Sequence, residues 1–409
     1  MTDIASVTDR DGAKALDRDD PLAGFKNLFV LREGLIYLDG NSLGPLTLAA
    51  KAALSAAIEE EWGRDLIGSW NSADWIGLPR RTGDRIAALI GAPDGSVLCA
   101  DSVSVNLFKL AAALVSQGHD LVAVERGDFP TDGYVLEGLS KISGAGFSLT
   151  EPGTGIAGLP EETGVLVRSA VHYKTAGIVD IEAEERAAAE RGCAIIWDLS
   201  HAAGLIDLRL EERGARYAVG CGYKYLNGGP GAPGFVYVHP SVSNTLAQPL
   251  SGWMGHRAPF SFTDGYRPAD GVARFAAGTP PILSMTALHA ALSLYEGLAI
   301  ADLQEKARRL GDLFLARIAA LDLPNLSPGI GERRGGHVSL RHPDGYAVVQ
   351  ALIARGIVVD FRAPDVMRFG FSPLILSYAD VFDAAEALVE IVRTESFRDP
   401  AFERRGAVT

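Results

Sequence analysis

The chain has 409 residues, of which 47% are hydrophobic and 22% charged, with a formal net charge of −13. That is enough apolar material for a sizeable core, so an extended disordered chain is excluded, and two or three domains or one large domain with a smaller partner are expected. The diffuse acidic balance speaks against a nucleic-acid partner and against docking to an anionic membrane, because both need a basic face.

The first twenty residues (MTDIASVTDRDGAKALDRDD) are polar and acidic, which is unlike a signal peptide. Nowhere do about 18 apolar residues run uninterrupted. No membrane span is therefore expected, and the expected compartment is the cytoplasm. The three cysteines, Cys99, Cys193 and Cys221, are far apart and form no CxxC or Cys/His cluster. They read as reduced buried thiols, and no metal site is expected.

The opening segment reads as an arm leading into the fold. A turn-rich stretch, YLDGNSLGP at Tyr37–Pro45, precedes a helix predicted over Thr47–Trp62. From about Leu78, helical stretches such as Arg80–Gly91 and Leu107–Gln117 are separated by short apolar runs. Those runs are Ser96–Ala100, Leu121–Glu125, Phe147–Thr150, Gly164–Val171, Cys193–Asp198, Tyr217–Cys221 and Gly234–Val238. Strands alternating with helices predict an α/β fold with crossover connections and a mostly parallel seven-stranded sheet, which binds ligands at the carboxyl ends of its strands. After about Ile300 the pattern changes. A long amphipathic helix is predicted over Asp302–Leu321, strands over His337–Arg341, Ile357–Phe361 and Met367–Phe371, and a closing helix over Tyr378–Thr394. The expected organisation is an arm over residues 1–45 that joins the small domain, a large domain over 46–300 and a smaller α/β domain over 301–409.

Between Tyr217 and Val238 the only formal charge is Lys224. Two readings fit. It is a solvated lysine on a glycine loop, or it is a desolvated amine able to form a Schiff base with an aldehyde. Cys193–Asp198 is an apolar run ending in a carboxylate, with His201 three residues on. Asp198 is either a cap for a following helix, with His201 in the core, or the partner of a cationic ring nitrogen, with His201 against the ring. Asp101–Asn106 (DSVSVN) follows a strand and opens a helix. Ser104 there offers a hydroxyl for a phosphate at the helix N-terminus, and ordinary capping by Asp101 or Ser102 is the alternative. Tyr223, beside Lys224, is placed to reach the same phosphate. In FPTD, Phe129 is a candidate ring cover and Asp132 a candidate orienting group, with a Pro130 turn as the alternative. Arg368, inside an apolar strand, needs a carboxylate, either a substrate's or an internal one. Trp253 and Trp70 are candidate walls of an aromatic pocket, or core.

Taken together in order, YLDGNSLGP, DSVSVNLFK, FPTDGYVLEG, VHYKTAG, WDLSHAAG, GCGYKYLNGGPG, SGWMGH, AAGTPPI and RFGFSPL resemble the kynureninase family, from about Leu35 to about Tyr378. Kynureninases are pyridoxal 5'-phosphate enzymes of the aspartate-aminotransferase fold (fold type I). The resemblance implies that the large domain binds the cofactor and that Lys224 is the Schiff-base lysine. It implies that Asp198 pairs with the pyridinium nitrogen and His201 lies near the ring. Phe129 and Asp132 contact the cofactor from the other side. Val103 and Ser104 hold the phosphate, and Ser169 and Tyr223 add hydrogen bonds. Trp253 and Thr279 come from the neighbouring subunit of a homodimer whose active sites lie at the interface. Arg368 holds the carboxylate of a small amino-acid substrate, and Ser42 and Trp70 border its pocket. The implied reaction is hydrolysis of L-kynurenine, or its 3-hydroxy form, to anthranilate or 3-hydroxyanthranilate and L-alanine, with Lys224, Tyr223 and Asp198 as the catalytic set. Val103 stands where many relatives have Thr, and Ala176 where Gly is usual; both changes leave that set intact.

A cysteine desulfurase on the same fold needs a mobile cysteine late in the chain, and no cysteine follows Cys221. An aminotransferase activity stays open at this level. A non-catalytic cofactor carrier would not need Lys224, Asp198 and Arg368 together.

Overall fold

The computed structural model describes Ile4, residues 7–404 and Gly406. Of the expected arm, residues 1–3, 5 and 6 lie outside the described residues. The chain divides into two compact units. The larger holds Ala49–Tyr173 and Val179–Glu296; the smaller holds the described residues up to Leu48, Lys174–Ile178, and the chain from Gly297 onwards.

Twelve strands occur along the described chain: β1 Ile36–Tyr37, β2 Val97–Cys99, β3 Leu121–Glu125, β4 Gly146–Thr150, β5 Val165–Ser169, β6 Ala194–Asp198, β7 Tyr217–Cys221, β8 Gly234–Val238, β9 His337–Arg341, β10 Ile357–Val358, β11 Asp360–Arg362 and β12 Val366–Gly370. In the larger unit seven of them form one sheet in the order β2-β8-β7-β6-β5-β3-β4. The strands from β7 to β4 pair in parallel. β8 runs antiparallel to both β7 and β2. This is the mostly parallel seven-stranded sheet expected from the alternating pattern. Strands β5 to β8 are buried at every residue, as a sheet covered on both faces requires.

Helices predicted from the sequence begin earlier than read, at Leu78–Ile90 and Val103–Val115. Pro79 near the start of the first and the Ser102 cap of the second explain the shift, because both favour helix entry. The helix predicted over Thr47–Trp62 is α-helical only over Leu48–Ala56 and continues as a π-helix over Ala57–Trp62. Ile357–Phe361, read as one strand, is two: β10 pairs with β1, and β11 turns to β12.

In the smaller unit, β11-β12-β9 form an antiparallel sheet. The Ile300–Ile318 and Tyr378–Thr394 helices pack together, and Leu310, Leu313, Phe314, Leu388 and Ile391 on them are buried. Asp17, in the Arg10–Arg18 helix, accepts the backbone N–H groups of Tyr378 and Ala379, so the arm caps the closing helix. Arg334 and Asp312 form a buried ion pair at 2.8 Å, and three backbone carbonyls accept from the two terminal guanidinium nitrogens. Among the described residues no single helix is long and apolar enough to cross a membrane.

Glu185 lies in the core of the larger unit, where its Oε1 accepts the Trp197 indole N–H at 2.7 Å. Burial, offset in part by the Trp197 bond and Arg216, pushes its carboxyl up to about 7. The folded protein therefore holds this proton more tightly than the unfolded chain. Stability from Glu185 is complete below the ordinary carboxyl pKa and declines as pH rises towards about 7. Glu185→Gln keeps the acceptor and removes the titration. Its thermal stability should match wild type near pH 4.5 and exceed it at pH 8 by an amount on the order of 2 kcal/mol. Thermal melts at the two pH values check this.

Candidate active site

The carboxyl ends of the parallel strands meet at one edge of the larger sheet. There β6 ends on Asp198, β5 on Ser169, which lies opposite Asp198 in register, and β7 on Cys221, three residues before Lys224. The Val103–Val115 and Pro130–Ser143 helices begin at this edge. A cavity of about 150 Å³ opens among them. Nine of the residues singled out from the sequence line it: Val103, Ser104, Phe129, Asp132, Ser169, Asp198, His201, Tyr223 and Lys224.

Lys224 sits on a tight turn. Asn227, in the left-handed region at φ 56°, donates its N–H to the Lys224 carbonyl. Gly228 donates to the Gly222 carbonyl, and a Cβ on Gly228 would come within 2.7 Å of that oxygen, so only glycine closes the turn. Lys224 Nζ is 3.0 Å from His201 Nε2 and lies 5.9 Å from the centre of the Tyr223 ring. Lys224 as a residue is half-buried. Asp198 Oδ1 accepts both the Ser200 N–H at 2.8 Å and its hydroxyl at 2.6 Å. No helix follows Asp198; the chain runs through turns from Ser200 to Leu205. The helix-cap alternative is thus corrected to a local turn that orients the carboxylate.

The electrostatics are lopsided. Asp132 is buried, and burial, then Asp198 and Asp128, raises its carboxyl well above the ordinary range. Its Oδ2 has no hydrogen-bond partner among the described residues. Burial pushes Asp128 up to about 6, while the Ser169 N–H that it accepts at 3.3 Å opposes the shift. Burial also raises the Tyr223 phenol, so it keeps its proton at any physiological pH. At the other side of the cavity, Val103 and Ser104 open a helix whose cap is Ser102, accepting from Val105 N–H. A Cβ on Gly234 would sit 3.0 Å from the Val103 nitrogen, so the absence of a side chain keeps that helix end open. Carboxylates at one end and an open helix N-terminus at the other suit a ligand with a cationic ring nitrogen and a phosphate. These residues fit pyridoxal phosphate.

The remaining candidates lie apart from this cavity's lining. Trp70 and Trp253 meet edge-on, with centroids 6.5 Å apart, and Trp253 also contacts Phe260 and Phe262. Thr279 is exposed. Ser42 and Arg368 belong to the smaller unit. Arg368, buried in β12, pairs with Asp360 of β11, its cross-strand neighbour, through Nε at 2.9 Å and through Nη2; Ser42 Oγ lies 3.1 Å from both Arg368 Nη2 and Asp360 Oδ2. The internal carboxylate is therefore present, one of the two alternatives left open by the sequence. Nearby Asp39 is pushed up to about 7 by burial and by Asp360.

The sequence reading missed Tyr173, which lines the cavity edge-on to Phe129 at 5.4 Å, and also Thr131, Ser200, Cys221 and Asp128. Asp128 had a signal, since it directly precedes Phe129 at a strand end. Asp360 had one too: an acid in the apolar run IVVDF is as costly as the arginine in VMRF, and two such charges on adjacent strands should pair.

The fold is that of a cysteine desulfurase from Thermococcus onnurineus NA1, which superposes with a TM-score of 0.78 at 18% identity, covering 91% of this chain and 98% of that one. It is also that of a mutant cystine C–S lyase with glycine covalently linked to its pyridoxal-phosphate cofactor (TM-score 0.77, 15% identity, 87% of this chain and 97% of that one). Both place the chain in the aspartate-aminotransferase fold class. The profile of the kynureninase C-terminal domain matches residues 303–388. Kynureninase from Pseudomonas fluorescens is 43% identical over 416 residues, covering 98% of this chain and 100% of that protein. The chain belongs to the kynureninase family.

Removing Asp360 would leave Arg368 buried without its acid. Asp360→Ala should cost about 3–5 kcal/mol of stability, and Asp360→Asn, which keeps an acceptor, should cost less. Urea denaturation of the two variants measures both.

Proposed function

We propose that the protein hydrolyses L-kynurenine, or its 3-hydroxy form, to anthranilate or 3-hydroxyanthranilate and L-alanine, with pyridoxal 5'-phosphate bound in the cavity around Lys224. The observation that carries this reading is the Lys224 amine 3.0 Å from His201 in a cavity that also holds the strand-end carboxylate of Asp198. The cofactor, when bound, supplies an electron sink for the charge left on the substrate. Lys224 would hold the cofactor through its amine, and the same amine is placed to take the proton from the substrate α-carbon. Asp198, fixed by its two bonds from Ser200, keeps negative charge at the ring nitrogen. His201 would lie near the ring, and Phe129 and Asp132 would contact it from the other side. Val103, Ser104, Ser169 and Tyr223 bind the phosphate. The Tyr223 hydroxyl, protonated throughout the working range, moves a proton as water adds to the γ-carbonyl. Arg368, oriented by Asp360, and Ser42 hold the substrate carboxylate, and Trp70 borders the aryl ring.

A desulfurase reading is disfavoured by the cysteines themselves. All three are buried, and burial raises the thiol pKa of each.

The protein acts as a homodimer in which Trp253 and Thr279 serve the partner's cofactor. Phe260 and Phe262, which pack on Trp253, are 52% and 78% exposed, an apolar surface suited to a subunit contact.

Lys224→Ala should fold and still bind the cofactor non-covalently, but lose about a thousandfold or more in turnover. Near-normal anthranilate release by this variant would sink the assignment. Mixing Lys224→Ala with Trp253→Ala protomers tests the dimer. Mixed dimers carry one intact site, so activity should recover to about a quarter of wild type after exchange; no recovery would place Trp253 in its own protomer's site.

A further inference from the structure

The π-helical turn Ala57–Trp62 has no place in the scheme above, although such turns recur at functional sites. It ends by presenting Glu61, whose Oε2 accepts the Trp75 indole N–H at 2.7 Å. The Glu61 carbonyl accepts the Ser69 hydroxyl, which ties the same turn to the start of the Trp70 segment. The loop carrying Trp75 is pinned by Asp74, in the left-handed region at φ 48°, whose carboxylate accepts from Gly77 N–H and pairs with Arg81. Trp75 then meets Trp70 edge-on, with centroids 5.9 Å apart and planes at 77°. Trp70 also meets Trp253, with centroids 6.5 Å apart. Trp70 therefore packs against two indoles, one of which is fixed by a carboxylate.

We infer that Glu61 and Trp75 are positioning residues for Trp70, which they hold as a rigid wall for the aryl ring of the substrate. The inference rests on the reading of Trp70 as a border of the substrate pocket. Neither residue touches the reacting atoms. Their effect is confined to ligands that carry an aromatic ring.

The test uses the holoenzyme and two ligands, anthranilate, which has the ring, and L-alanine, which lacks it. Glu61→Ala and Trp75→Phe should weaken anthranilate binding, measured by equilibrium dialysis, by about five- to tenfold. They should raise KM for kynurenine to a similar extent, leave kcat within about twofold, and leave L-alanine affinity unchanged. Glu61→Gln, which still accepts the indole N–H, should bind both ligands like wild type. Unchanged anthranilate binding in Glu61→Ala would overturn the inference, and so would an equal loss of alanine binding, which marks a general structural defect. A wild type that releases no anthranilate from kynurenine overturns the functional reading instead, and the dialysis series then still decides the role of Glu61.

Discussion

Parallel strands cannot be joined by tight turns. Each needs a crossover, usually helical, that brings the chain back to start the next strand in the same direction. In the larger unit this constraint sends the ends of β3, β5, β6 and β7 to one edge of the sheet. Asp198, Ser169, the helix start at Phe129–Asp132 and Lys224 are far apart in sequence, yet line one cavity because they all lie at or just after strand ends. The antiparallel β8 completes the arrangement. It enters at that edge, and its first residue, Gly234, keeps the neighbouring helix N-terminus open.

That edge also concentrates charge. Burial and then Asp198 and Asp128 raise the cost of ionising Asp132, which is held protonated well beyond the ordinary range, and burial is the first cause of the raised Asp128 carboxyl, with Asp198 adding to it. A cationic group among them relieves the repulsion. Lys224 is one such group, and a protonated ring nitrogen is another. The smaller unit shows the same economy in a different form: Arg368 is buried with Asp360 across a strand pair, while burial and then Asp360 push the Asp39 carboxyl up to about 7.

Much of this was legible in the sequence where a single residue broke a local rule. Lys224 was the one charge in 22 residues, Asp198 closed an apolar run, and Arg368 interrupted one. Each stood out because burying a charge is expensive, and each lies where that expense has a use. The seven strands of the larger sheet came from the alternating pattern and survived. What the sequence hid were partners and local backbone. Asp360 was the mate of Arg368, but β10 and β11 read as one strand, which blurred the register that pairs them. The π-turn at Ala57–Trp62 was invisible because its composition is that of an ordinary helix. Tyr173 was missed because a tyrosine after a strand end breaks no rule.

The central claim is that the Lys224 cavity performs a carbon–carbon hydrolysis on kynurenine. Its most direct measurement is the product stoichiometry of the purified wild-type protein, supplied with pyridoxal phosphate and L-kynurenine, with anthranilate followed by fluorescence and alanine by chromatography. The account predicts that both products appear in equal amounts and at the same rate. A protein that takes up the cofactor and turns yellow but releases no anthranilate would contradict it.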